Sequence, residues 1–166
     1  MNRITLQSLL FLTFTFVLFA CVTPLKFDTR EIDINITPQD AVTDIEDLLG
    51  KQSLWGGVII DSVNLQNRSQ LEILAYPLDS SQKPDTDKDP QGRFLAFIDG
   101  YLETNDYAAG RLVTLLGTLQ APRIGKIGES EYTYPVMQIN ELHIWKKASD
   151  SSDTRIHFGI GVMLHN

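Results

Sequence analysis

From Trp55 onward, apolar residues return at every second position in short runs closed by Gly, Pro or Asn. A period of two restricts the folded part of the chain to β-structure. Leu71, Ile73 and Ala75 alternate with Glu72, Leu74 and Tyr76, and Pro77 ends the run. Before it, Trp55-Gly56-Gly57-Val58-Ile59-Ile60 leads into a turn around Asn64 to Arg68. After it, a polar loop over 79–92 precedes strands over 94–102, 111–119 and 132–145, and Gly117 interrupts the second of these. Thr104 to Gly110 reads as one capped helical turn, and Ile156, Phe158, Ile160, Val162 and Leu164 alternate as a sixth strand. Upstream, Thr37 is a natural N-cap, Pro38 suits the first helical position and Asp40 the first turn. Val42, Ile45, Leu48 and Leu49 follow at helical spacing, and Gly50 closes the segment. Five strands with a helical turn between the third and fourth is the order of an OB-type barrel. The expected fold is all-β: a small closed or partly open β-barrel, OB-like, with an N-terminal amphipathic helix.

The first 21 residues obey a different rule. Met1-Asn2-Arg3 is followed by an uncharged run from Ile4 to Ala20, and the only cysteine, Cys21, comes next. A positive start, an apolar stretch and a small residue at its end form the layout of a secretory signal. A membrane-spanning helix needs about 20 apolar residues, and this run sits at the lower limit. Leu18-Phe19-Ala20-Cys21 resembles the lipobox of bacterial lipoproteins, although Phe19 stands where a small or polar residue is usual. By that resemblance the sulfur of Cys21 takes a diacylglycerol and the finished anchor has three acyl chains. One chain holds a protein only marginally, whereas two or more hold it stably. Val22, rather than Asp, follows the cysteine, which by the same resemblance directs the protein to the outer membrane. The chain then divides into a signal peptide (1–20), a lipidated tether (21–36), a barrel domain (37–147) and a C-terminal segment (148–166). In the tether, Ile32, Ile34 and Ile36 alternate and suggest an edge strand.

Composition narrows the function. Fourteen Lys and Arg against 21 Asp and Glu give a net charge of −7, which opposes a nucleic-acid binder that must neutralise phosphates. A single cysteine excludes a disulfide framework within the chain. Asp85-Thr86-Asp87-Lys88-Asp89 has the spacing of the first ligands of a calcium loop, but Pro90 and Ala96 stand where such a loop needs Gly and Glu. His143, His157 and His165 form no close ligand pair, and Glu141 with His143 makes at most a weak site. No Gly-x-Ser-x-Gly elbow exists, and Glu129 and Glu131 read as surface charge in a Gly-rich loop. Neither a metal nor a cofactor is expected. Arg93 and Arg111 each follow a glycine and are read as partners of acids such as Glu72 or Asp99. The aromatics lack basic residues interleaved among them, and Trp55, Tyr132 and Tyr134 are read as a binding surface or, equally, as core.

Several motifs then combine: Trp55-Gly56-Gly57, Leu71-Glu72 with Tyr76-Pro77-Leu78, Gly92-Arg93-Phe94, and Gly110-Arg111-x-Val113-Thr114-x-x-Gly117. Gly125-x-Ile127-Gly128-Glu129, Tyr132-x-Tyr134-Pro135-Val136 and His143-x-Trp145 continue the string. Together they resemble the Slp family of outer-membrane lipoproteins of Gram-negative bacteria over about residues 21–147. Gly100-Tyr101 and Glu103-Thr104 depart mildly from its pattern. The resemblance implies an outer-membrane anchor and a link to starvation or stationary-phase physiology, and it supplies no catalytic residue. The expected function is a non-catalytic lipoprotein that binds or scaffolds envelope components. Its partners are membrane lipid, through the acyl chains on Cys21, and an envelope protein or glycan, with no nucleic acid. The rival is an enzyme acting on cell-wall glycan or lipid through Glu72, Asp99 or His143, which requires those groups to converge in a cleft.

Overall fold

The computed structural model describes residues 26–146. The signal run, Cys21 and the alternation over 156–164 lie outside the described residues. Within them, the strands are β1 (Gln52–Asn64), β2 (Arg68–Ala75), β3 (Arg93–Asp99), β4 (Leu112–Ile127) and β5 (Ser130–Ile144). They close into a barrel in the order β1-β2-β3-β5-β4. Neighbours are antiparallel except β3 and β5, which run parallel where Leu95, Ala96 and Phe97 meet Val136, Met137 and Gln138. This is the all-β, OB-like barrel that the alternation predicts.

The period of two decides which side chains enter the barrel. On β2, Ser69, Leu71, Ile73 and Ala75 are buried and the residues between them are not. Trp55, Ile59, Leu71, Ile73, Phe94, Val113, Leu115 and Met137 fill the interior. Burying each large apolar side chain contributes about 1.5–3 kcal/mol. Trp55 and Phe94 meet edge to face with centroids 5.1 Å apart. On β3, by contrast, Phe94, Leu95, Ala96 and Phe97 are buried consecutively, because that strand is covered on both faces.

β4 runs eight residues beyond its expected end at Leu119, and β5 begins two residues before its expected start. Gly117 lies at a register shift with β5, where a Cβ would clash with the Gln138 carbonyl oxygen and Met137. The strand therefore bends there without breaking. A second shift between Gln120 and Arg123 carries β4 out of the barrel. It then pairs with β5 from Arg123↔Tyr134 to Ile127↔Ser130. The Gly-rich stretch read as a loop is thus a two-stranded arm: Gly128 and Glu129 form its turn, and Glu131 lies on β5.

The N-terminal helix also differs from expectation. It consists of two single turns, α1 (Asp40–Thr43) and α2 (Ile45–Leu48), separated at Asp44, whose φ and ψ are −116° and 34°. Val42, Thr43, Asp44 and Ile45 are all weak helix formers, which accounts for the break. Thr37 does act as the starting cap. The Asp40 N–H donates to Thr37 Oγ1 at 3.3 Å, and the Thr37 N–H donates to Asp40 Oδ2 at 2.8 Å. The Thr37 hydroxyl and N–H hold the Asp40 carboxyl below the usual carboxylate range. Ala41 and Leu48 pack on the barrel interior, whereas Leu49 is 56% exposed and falls off the predicted apolar face.

The chain between Lys26 and Pro38 forms no strand, so Ile32, Ile34 and Ile36 add no edge. It lies along the barrel as a strap. Phe27 is buried with Leu54 and Leu116 on the outer face of β1 and β4. Gln82 holds the strap in place: the Phe27 N–H donates to Gln82 Oε1 and Gln82 Nε2 donates to the Phe27 carbonyl, both at 2.9 Å. The 79–92 segment, read as a polar loop, therefore buries two of its residues, Gln82 and Pro84.

Candidate functional site

Trp55, Tyr132 and Tyr134 do not form one surface. Trp55 is 3% exposed and points into the barrel, where its Nε1 donates to the Ile36 carbonyl at 2.7 Å. Tyr132 and Tyr134 extend from the arm over the outer face of β3, edge to face with centroids 4.7 Å apart. The Tyr132 hydroxyl accepts from the Arg93 N–H at 3.0 Å. Gly92 leaves room for that hydroxyl, since a Cβ there would stand 2.9 Å from it. The Tyr134 hydroxyl donates to Glu72 Oε1 at 3.2 Å, and burial followed by the Glu72 charge raises its pKa above the ordinary tyrosine value.

Arg93 and Glu72 meet as expected. The guanidinium donates to Glu72 Oε1 at 2.8 Å, and that bond raises the Arg93 pKa. Arg111 has no acid partner among the described residues. It donates to the Trp145 carbonyl at 3.4 Å, and its Nε is buried without a partner. The residues of the rival enzymatic reading stand apart. Glu72 lies on β2 in the Arg93–Tyr134 network, and Asp99 is exposed at the end of β3. His143 is on β5 opposite Thr114, about 23 Å along the strand from the β3 junction at Val136. It packs edge to face with Trp145, centroids 4.7 Å apart. Burial and then the charge of Lys26 lower its pKa. Among the described residues, no three His, Cys, Asp or Glu gather as metal ligands.

A groove of about 470 Å³ with an apolar floor lies where the strap crosses β1 and the β2–β3 loop begins, and a second, of about 450 Å³, is lined by charged residues such as Asp28, Arg30 and Glu141. The floor of the first is Ile36, Leu54, Trp55, Ala75 and Leu78, and its rim carries Thr29, Asn35, Tyr76, Ser80 and Gln91. Asp79 is the one acid on the lining. Its carboxylate already accepts from the Ser81 N–H and hydroxyl and the Lys83 N–H. Apart from that hydrogen-bonded carboxylate, the groove presents apolar surface and neutral hydrogen-bonding groups, a lining suited to an uncharged, partly apolar segment. Trp55 contributes as the floor of this groove. The sequence signal for it was the Trp-Gly-Gly run: a Cβ on Gly56 would meet Leu78 at 2.8 Å and Pro84 at 3.0 Å.

The arm brings together residues that are distant in sequence. The guanidinium carbons of Arg68 and Arg123 lie 4.4 and 4.6 Å from the centroid of the Phe97 ring. Phe97 is 2% exposed and packs with Leu95, Tyr134 and Val136 in a small core outside the barrel. The sequence shows no basic residue beside this aromatic, but the fold supplies two.

The profile of the Outer membrane lipoprotein Slp family matches residues 18–161. An uncharacterized protein of Haemophilus influenzae is 32% identical over 144 residues, covering 83% of this chain and 75% of its own length. The uncharacterized lipoprotein YeaY of Escherichia coli K12 is 34% identical over 97 residues, covering 58% of this chain and 50% of its own. Outer membrane protein Slp of the same organism is 35% identical over 97 residues, with coverage of 58% and 51%. The match thus spans about half the length of these last two relatives. Among solved structures, the mitochondrial single-stranded DNA binding protein Rim1 of S. cerevisiae superposes with a TM-score of 0.38 at 13% identity, over 58% of this chain and 96% of that one.

Proposed function

Because the chain belongs to the Outer membrane lipoprotein Slp family and is an outer-membrane lipoprotein, we propose that it is a non-catalytic binding module for envelope components. In this reading residues 1–20 are removed and Cys21 carries the acyl chains. The barrel then presents the groove between the strap and the β2–β3 loop to an uncharged segment of an envelope protein or glycan. A role in starvation or stationary phase belongs to the same reading. The observation that carries it is the groove itself, with its floor of Trp55 and Ile36 held rigidly by the indole hydrogen bond.

Two measurements test it. Intact mass and membrane fractionation of wild type and Cys21→Ser test the anchor: acyl mass in the outer-membrane fraction is expected for the first and absent from the second. Asn35→Trp at the exposed rim tests the groove, because the added ring fills it without entering the core. Binding of envelope material should fall with the melting temperature unchanged. Undiminished binding in that variant would refute the assignment.

A further inference from the structure

We infer that Arg68 and Arg123, held on Phe97, form a binding site for a phosphate group on the outer face of β3. The two side chains reach the ring from different directions, Arg68 from β2 and Arg123 from the arm. Stacking on an aromatic face occupies the plane of a guanidinium and leaves its edge, with the N–H fork, free to donate. That fork matches the oxygens of a phosphate, and such charge-assisted bonds are among the stronger hydrogen bonds in proteins.

The surroundings leave the forks unused. Among the described residues the ion pairs are Arg30–Asp28, Lys88–Asp85 and Arg93–Glu72, so neither Arg68 nor Arg123 forms an ion pair with a carboxylate. Asp99 stands opposite Arg68 in the β2–β3 register without forming an ion pair. In a chain where acids outnumber bases 21 to 14, two neighbouring arginines without an acid partner depart from what composition predicts. Both rest on a buried ring, which limits the side-chain freedom lost when an anion arrives. The acids of the arm lie toward its turn: Glu131, opposite Lys126, is about 10 Å along the strand from Arg123 and Glu129, in the turn, about 15 Å. This site is on a different face from the groove and does not depend on the groove being filled.

The chemistry admits two sources, free phosphate or the phosphate of a lipid headgroup. The test uses the lipidated protein in neutral detergent and follows the Nε–Hε resonances of Arg68 and Arg123 by NMR. Millimolar inorganic phosphate and pyrophosphate should shift both signals saturably, and added salt should weaken the effect. The same protein is then placed in nanodiscs of phosphatidylcholine, with or without phosphatidylglycerol. A shift induced by the anionic lipid alone assigns the headgroup as ligand, and a shift only with added phosphate assigns the free anion. Arg68→Met and Arg123→Met keep an apolar cover on Phe97 but remove the donors, and each should weaken binding about tenfold. Arg123→Lys, which keeps the charge without the fork, should lose less. No saturable shift with any of these ligands, or unchanged affinity in both Met variants, would overturn the site. The wild-type titration decides the matter even if a variant fails to fold.

Discussion

Two outer faces of this barrel are covered, and by different means. On β1 and β4 the cover is the strap and the β2–β3 loop, joined through Phe27 and Gln82. On β3 the cover is the arm, an extension of two barrel strands, joined through Tyr132, Tyr134 and the Arg93–Glu72 pair. The first cover leaves a groove lined by apolar and polar groups with a single carboxylate, Asp79; the second leaves two stacked guanidiniums. A cover continuous with the barrel ladder shares the cooperativity of the sheet. One attached by a few local contacts can open by itself. In the proposed reading, with Cys21 as the anchor, the strap is also the described segment nearest in sequence to the membrane attachment.

The largest effect should separate the two faces. Phe97→Ala removes the ring that both guanidiniums use and empties the arm core, at about 3–5 kcal/mol of global stability by chemical denaturation. Phe27→Ala should cost less globally and show instead as faster hydrogen exchange confined to the strap. Equal global losses would mean that the strap belongs to the same cooperative unit. Gln82→Ala comes next, because it leaves a buried N–H and a carbonyl of Phe27 without partners, at about 1–3 kcal/mol. Exchange at Phe27 should rise while that of the arm stays unchanged. Tyr134→Phe should cost about 1 kcal/mol, since the hydroxyl reaches Glu72 and the Lys126 carbonyl; here only arm exchange should respond.

The smallest effect is in pH. The folded pKa of His143 lies below its ordinary value, from burial first and Lys26 second. The unfolded chain therefore binds the proton more readily, and stability is lost as the pH falls from about 7 through the ordinary histidine value toward the lowered one. Lys26→Gln should move the His143 titration, followed by NMR, upward toward that ordinary value. An unchanged titration would show that the strap's first described residue does not sit against β5.

Much of the barrel was legible because its core residues obey one period. Leu71, Ile73 and Ala75 are buried as their alternation requires, Gly117 marks a bend, and Thr37 starts the first helical turn. The arm was not legible, because β4 beyond Leu119 is exposed or half-buried on both sides and shows no apolar alternation. The break at Asp44 balances weak local propensities against packing on the barrel end. Of the candidate residues, Trp55 is buried at the groove floor rather than displayed on a surface, and the Arg93–Glu72 pair was anticipated. The stack on Phe97 joins positions 68, 97 and 123, and no local pattern connects them.

The most direct test of the central claim is photo-crosslinking in the anchored protein, from a reactive residue placed at Asn35 on the groove rim or at exposed Thr133 on the arm. If the groove beside the anchor is the working surface, Asn35 crosslinks to an envelope component, Thr133 does not, and Cys21→Ser abolishes the product. Crosslinks from Thr133 with none from Asn35 would contradict it and move the function to the arm.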